Sequence, residues 1–455
     1  MLIVRAEVGG RAGLAVRVAG EAVVEVGPDL RPAGGEEVID AGGGAVNPAL
    51  HDHHVHLRAM AAARASVDVG PATTPGAAAF DERLRAAAAA APAGGWVRAV
   101  GYHEAVAGDL DRRRLDAAVA DRPVRVQHRS GALWVLNSAA LAALPGGDDP
   151  PADGRLWRRD GLLAAFAPPV PLDWAGVGRD AAARGVAGFT DADPTRTQDG
   201  VDALAAAARR GDLAQRVVLM SAGGLALDAA AGQTAGPRKL LLDDATLPPV
   251  DDIAAWMAAA HAAGEPVAVH CVTRLQLVAT VTALAAAGAR PGDRVEHGAV
   301  VPAELVPELA RLGVTVVTQP NFVAERGDEY RAEVDADDLP LLYPCASLRA
   351  AGVRVAAGTD APFGGADPWA AVRAAVDRRT RAGAVLGPGE RVDPASALGL
   401  FLGRPDAPAV PRRVEAGAPA DLCVLDRPLA AVLAGPGPNP VAVTVARGRT
   451  IADNR

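Results

Sequence analysis

The chain has 455 residues, half of them hydrophobic, with 46 basic against 54 acidic residues and a net charge of −8. A chain of this length buries a large core and holds more than one domain. The acidic balance, with no concentrated positive stretch, argues against a nucleic-acid partner. No run of about 18 apolar residues is present to span a membrane. The start, Met1-Leu2-Ile3-Val4-Arg5-Ala6-Glu7, lacks the basic and apolar regions of a signal peptide. Three scattered cysteines, Cys271, Cys345 and Cys423, fit a reduced, cytoplasmic setting better than a disulfide framework. Of the 46 basic residues, 45 are arginine and one is lysine, Lys239. Arginine serves wherever this chain needs a positive charge, so the lysine invites a reason specific to an amine. A buried lysine can lose its proton; an arginine cannot.

In chain order, residues 1–40 read as short antiparallel strands at Leu2–Val8, Leu14–Val18 and Ala22–Val26, separated by Gly-rich turns. A Gly-rich lead at 41–47 follows, then Pro48 and the run Asp52-His53-His54-Val55-His56. Four of the nine histidines, His51, His53, His54 and His56, fall within six residues there. On a strand, alternate residues share a face, so Asp52, His54 and His56 line up. Two neutral imidazoles at adjacent levels suit a divalent cation, zinc most readily, with Asp52 orienting a ligand from behind.

From 58 to about 175 the chain reads as Ala-rich helical pieces (Ala77–Ala91, Leu110–Ala120, Ser138–Leu144) among Trp96, Tyr102, Trp134 and Trp157, with Pro/Gly/Asp-rich punctuation at 145–154. This is an insertion after the first strand, expected to shape or cover a pocket. From about 174 a helix and a short apolar strand alternate. The strands are Val186–Thr190, Val217–Met220, Lys239–Leu242, Pro266–Val269, Arg294–His297, Val314–Thr318 and Val353–Ala356. With the histidine strand they make eight, which predicts an α/β fold, a (β/α)8 TIM barrel. His54, His56, Lys239, His270, His297 and Asp360 stand at the ends of these strands, where that fold carries its catalytic groups. A doubly wound open sheet is the alternative, but it wants a Gly-rich phosphate loop where this chain has histidines. The tail returns to strands at Asp421–Leu425 and Val441–Val445, around a Pro/Gly/Asn-rich segment at 435–440, with a turn at Arg447-Gly448-Arg449. The expected organisation is a composite β-sandwich domain from 1–47 and 409–455, and a barrel at 48–408 carrying the 58–175 insertion.

The Asp-x-His-x-His strand (Asp52, His54, His56), Lys239, His270, Glu296-His297-Gly298, Gly358-Thr359-Asp360 and the late Gly-x-Pro-Ala-Asp-Leu from Gly417 to Leu422 occur in order. With them, nearly the whole chain resembles the amidohydrolase superfamily, specifically its YtcJ-like, amidohydrolase-3 branch. Ala49 departs from the glycine usual after Pro48, and Ala132 stands where relatives often carry a histidine. The resemblance implies a carbamate, formed from CO2 on Lys239, that bridges two cations. One is held by His54, His56 and Asp360, the other by His270 and His297; a one-metal site is the alternative. It further implies a metal-activated water whose proton Asp360 takes and delivers to a leaving nitrogen. Asp360, Lys239 and His297 are the residues expected to carry the reaction.

Weaker candidates are Asp191 and Asp193, as ligand contacts or helix caps, and Arg129, beside His128, for a substrate carboxylate. Gln319 and Asn321 are candidates for a substrate amide. His103 and His261 read as surface residues, and Cys271 points away from His270. The expectation is a metal-dependent amidohydrolase acting on a non-peptide C–N bond of a small molecule: an amide, N-formyl or cyclic amide. The alternatives are a deaminase or ester/lactone hydrolase on the same centre, and a non-catalytic binding protein with a retained barrel. Zinc, one or two per chain, is the expected metal, and a homodimer the assembly to test.

Overall fold

The computed structural model describes residues 1–144, 151–435 and 439–455. Residues 145–150 and 436–438, inside the two punctuation segments at 145–154 and 435–440, lie outside the described residues.

Eight parallel strands form one sheet, hydrogen-bonded in chain order. They are Leu50–Val55, Val186–Asp191, Arg216–Ser221, Gln233–Leu241, Val267–Cys271, Arg294–His297, Thr315–Thr318 and Arg354–Ala357. The sheet curls until its ends meet: Val55 bridges Ala361, and the Asp360 N–H donates to the His54 carbonyl at 2.8 Å. Segments such as Val267-Ala268-Val269 are buried, as strands covered on both faces must be. Glycine is required at the seam, because a Cβ on Gly358 would lie 2.4 Å from the His54 backbone nitrogen. The helices between strands carry ordinary end signals. Gln198–Arg210 starts on the Thr197 hydroxyl, which accepts from the Gly200 N–H, and stops at left-handed Gly211 (φ 80°).

The fourth strand is longer than its sequence reading. It begins at Gln233, not at Lys239, and Val217 to Leu219 of the third strand pair with Gln233 to Ala235. Gly236 and Pro237 disguise it as a loop; pairing with a neighbour overrides that local preference. Lys239 therefore sits inside a strand, opposite Ala268 of the fifth.

The chain ends build two four-stranded sheets. One takes Leu2–Val8, Arg11–Ala19, Ala22–Gly27 and Val38–Asp40; the other takes Val46–Pro48, Leu422–Leu425, Val441–Ala446 and Arg449–Asp453. Ile3, Val16, Val23 and Ile39 of the first share one core with Val46, Leu422, Val424 and Val443 of the second, which makes a sandwich.

Residues 58–173 form a compact unit of their own. The sequence shows only helices there, but the unit also has a five-stranded sheet. Its order is Arg155–Trp157, Leu133–Leu136, Val124–His128, Val97–Tyr102 and Val67–Asp68. Its core includes Phe80, Leu84, Val97, Leu115, Val124 and Val126. Arginines interrupt the strands (Val-Arg-Val-Gln-His at Val124–His128), so no clean apolar run announces them.

Candidate metal centre

His54 lies on the first barrel strand, and His56 follows its end, with its N–H donating to the Ala361 carbonyl. Closure of the barrel thus delivers both imidazoles beside Asp360. The His56 Nε2 is 3.2 Å and the His54 Nε2 is 3.6 Å from the Asp360 Oδ1. One ligand atom from each of the three lies within 4.8 Å of the others. The His297 ring stands 4.7 Å from the His54 ring, and the His270 ring 4.6 Å from that of His297. Lys239 is buried, and its Nζ has no hydrogen-bond partner.

Two of these residues hold left-handed backbone, His297 at φ 69° and Asp360 at φ 56°. Such a conformation costs a non-glycine residue roughly 1 kcal/mol or more, and it gathers at functional sites. At His297 it breaks the strict alternation of a strand. Glu296 and His297 are consecutive, yet both reach His54, one by hydrogen bond and one by ring contact.

The hydrogen bonds decide which ring nitrogen is free. The His54 Nδ1 meets the Glu296 carboxylate, which only accepts, so Nδ1 carries the proton and Nε2 keeps its lone pair. The His297 Nδ1 donates to the Gln319 Oε1 at 2.8 Å, with the same consequence. The buried His54 Nε2 and Lys239 Nζ have no hydrogen-bond partner. Burial, followed by the nearby Lys239, drives His54 down to about 3, and burial also lowers His270 and His297. All three are neutral imidazoles with lone pairs to give. Burial pushes the Asp360 carboxyl up, but the His56 side chain beside it more than offsets this and holds it below the ordinary carboxylate value. Burial also lowers the Lys239 ammonium, against the attraction of Glu296. Neutral nitrogens, an ionised carboxylate and unpartnered buried atoms are the donor set a divalent cation requires.

The model of the family described as "Amidohydrolase family" matches residues 37–452. The chain belongs to the amidohydrolase family. It is 34% identical over 140 residues to the N-substituted formamide deformylase of Arthrobacter pascens. That match covers 30% of this chain and 26% of the relative, so the chain spans about a quarter of that protein's length. An uncharacterized metal-dependent hydrolase from Pyrococcus horikoshii OT3 has a similar structure, with a TM-score of 0.71 at 19% identity over 94% of this chain and 97% of that one. The structure of an atrazine chlorohydrolase, TrzN from Arthrobacter aurescens TC1, complexed with zinc and atraton, superposes with a TM-score of 0.53 at 16% identity, covering 100% and 95%. At these identities the likeness is one of fold.

Several side chains of this amidohydrolase do something other than their sequence pattern suggests. Asp52 orients no histidine. Its carboxylate accepts from the Thr359 N–H (2.9 Å) and the Thr359 hydroxyl (2.6 Å), which ties the first strand to the loop after the eighth. The residue behind His54 is Glu296, whose own support is Arg294: Nε donates to Oε1 at 2.7 Å and Nη2 to Oε2 at 3.2 Å. Gln319 is fully buried against His297, a task different from holding a substrate amide. The Asn321 amide donates to the Thr359 carbonyl (3.0 Å) and to Glu325 (3.2 Å), so it braces the loop that carries Asp360. Asp191 is buried and pairs with Arg196 at 2.7 Å, while Asp193 accepts from the Thr195 N–H. His103 and His261 are buried, not at the surface; the His261 Nε2 pairs with Asp293 at 3.0 Å. Cys271, by contrast, lies as its strand position predicts, beside the Thr280 hydroxyl 3.1 Å away and off the metal centre. Arg129 belongs to the 58–173 unit, where its N–H donates to the Tyr102 carbonyl.

That unit holds a second group of possible ligands, His103, Glu104 and His128. The His128 Nε2 is 3.2 Å and the His103 Nε2 3.7 Å from the Glu104 Oε2. Here the rings are set the other way. The His103 Nδ1 accepts the Ala105 N–H at the start of a short helix, and the His128 Nδ1 accepts the Ser130 N–H. A neutral ring that accepts at Nδ1 carries its proton on Nε2, where a metal would need the lone pair. The hydrogen bond from His128 outweighs burial and holds the Glu104 carboxyl down at about 2. The group is a carboxylate held by imidazole N–H, and its donor set does not fit a cation.

Proposed function

We propose that the chain is a metal-dependent amidohydrolase that cleaves a non-peptide C–N bond of a small molecule. The observation that carries this is the convergence of Nε2 lone pairs, fixed by Nδ1 hydrogen bonds on two different strands, beside the Asp360 carboxylate. His54, His56, His270, His297 and Asp360 would hold one or two divalent cations, zinc first among them. When bound, such a cation polarises a carbonyl oxygen and makes water a stronger acid. Asp360, kept ionised, accepts a proton from the attacking water and passes it to the departing nitrogen. Burial favours the neutral amine of Lys239, and a neutral amine adds CO2 to give a carbamate with release of one proton. That carbamate would supply a further anionic oxygen to the site.

Among the described residues no helix is long and apolar enough to cross a membrane. We place the enzyme in the cytoplasm, acting on a free small molecule. The similarity to an N-substituted formamide deformylase puts N-substituted formamides first among the substrates, followed by cyclic amides. The test is a panel of both, offered to zinc- and manganese-loaded protein, with amine release as the readout. Turnover of at least one amide is expected. Stoichiometric metal with ammonia or ester-acid release alone would favour the deaminase or esterase reading. Protein that takes up no metal would overturn the proposal.

A further inference from the structure

We propose that Glu296, backed by Arg294, is the positioning residue that makes His54 a metal ligand. This rests on the metal-dependent reading above. His54 is on the first barrel strand and Glu296 on the sixth, 242 positions apart. In the sheet the first strand neighbours only the second and the eighth. The contact therefore crosses the barrel interior and is no by-product of strand pairing.

Every oxygen of the Glu296 carboxylate is engaged. Oε1 takes the Arg294 Nε–H; Oε2 takes the Arg294 Nη2–H and the His54 Nδ1–H. Arg294 is held in turn by the His53 carbonyl, to which Nη2 donates at 2.8 Å. The arginine thus reaches both the carboxylate and the backbone next to the histidine it orients. Glu296 is wholly buried and Arg294 is 2% exposed. A buried ion pair is a poor device for stability alone, since apolar residues of similar volume often do as well or better. Its specific product here is a defined ring. With an acceptor-only carboxylate at Nδ1, His54 has one tautomer and one orientation, and its Nε2 lone pair points at Asp360. Asp52, two residues before His54, is spent on Thr359 and cannot do this.

The test uses metal-free full-length protein labelled with 15N-histidine, read by long-range 1H–15N correlation, with His54 assigned by the signal lost in His54→Gln. In the wild type, His54 is expected to carry its proton on Nδ1. Glu296→Leu should lose that preference and bind zinc about 10- to 100-fold more weakly, measured against a chromophoric chelator. Glu296→Gln keeps an oxygen at Nδ1, so it should keep the tautomer and lose less affinity. If Glu296→Leu does not fold, the wild-type spectrum and Glu296→Gln still decide. Wild-type His54 protonated on Nε2, or Glu296→Leu with wild-type zinc affinity, would overturn this inference and leave the metal reading standing. Wild-type protein that binds zinc with no measurable affinity would sink both.

Discussion

Among the described residues two groups of histidine and carboxylate occur, and by spacing alone they look alike. His54, His56 and Asp360 lie within 4.8 Å, and so do His103, Glu104 and His128. What separates them is the other nitrogen of each ring. In the barrel, His54 and His297 spend Nδ1–H on Glu296 and Gln319, which frees Nε2 for a cation. In the 58–173 unit, Nδ1 accepts a backbone N–H in both rings, which puts the proton on the nitrogen facing the carboxylate. Ligand geometry is thus necessary for a metal site, but the partner behind the ligand is what makes it one.

The largest expected effect that would break this comparison is at the barrel. His56→Ala should lose metal and activity by more than the roughly 100-fold that removing an outer partner costs, while its far-UV circular dichroism stays intact. Full metal content in elemental analysis of the variant would put the two clusters on a par. Lys239→Arg comes next, with a loss on the order of 100-fold in turnover and a poor metal content, because a guanidinium cannot become a carbamate. Lys239→Ala should be equally inactive, but acetate or formate in the assay should restore part of its metal and rate. Wild-type activity in Lys239→Arg would show that the lone lysine has no special task.

A third prediction concerns pH. Burial drives His51, His53, His54, His270 and His297 below the ordinary value of 6.5. Below pH 6.5 the unfolded chain binds protons that the folded barrel does not, so stability is present above that value and falls as pH falls. Each such histidine therefore opposes folding more strongly as the pH falls below 6.5. Urea midpoints of the metal-free protein should therefore drop clearly between pH 7.5 and pH 5; an unchanged midpoint would mean that these rings are charged. The smallest effect is expected at Glu104→Gln. It should leave metal stoichiometry and zinc affinity untouched and change stability by about 1 kcal/mol, the scale of a hydrogen bond. A lower zinc count by elemental analysis would make the second cluster a metal site after all.

Much of the centre was legible because its chemistry is local in kind, if not in place. His54 and His56 share a strand face by period alone, and Lys239 stands out in a chain that otherwise uses arginine. Eight apolar strands with polar ends predict where the ligands gather. The partners behind the ligands were not legible, because each lies on another strand. Asp52 was the near neighbour and the natural choice, yet Thr359 claims it, and the carboxylate that orients His54 comes from the sixth strand. The sheet of the 58–173 unit was hidden for a related reason: arginines interrupt its strands, and only pairing shows what they are.

The sequence by itself therefore determined the barrel and the sandwich of the chain ends, since periodicity needs no partner to be read. Only the tertiary structure decided the tautomers, the left-handed turns at His297 and Asp360, and which of two similar clusters fits a cation. Those depend on which atoms closure of the chain brings within about 3 Å of each ring nitrogen, the reach of a hydrogen bond.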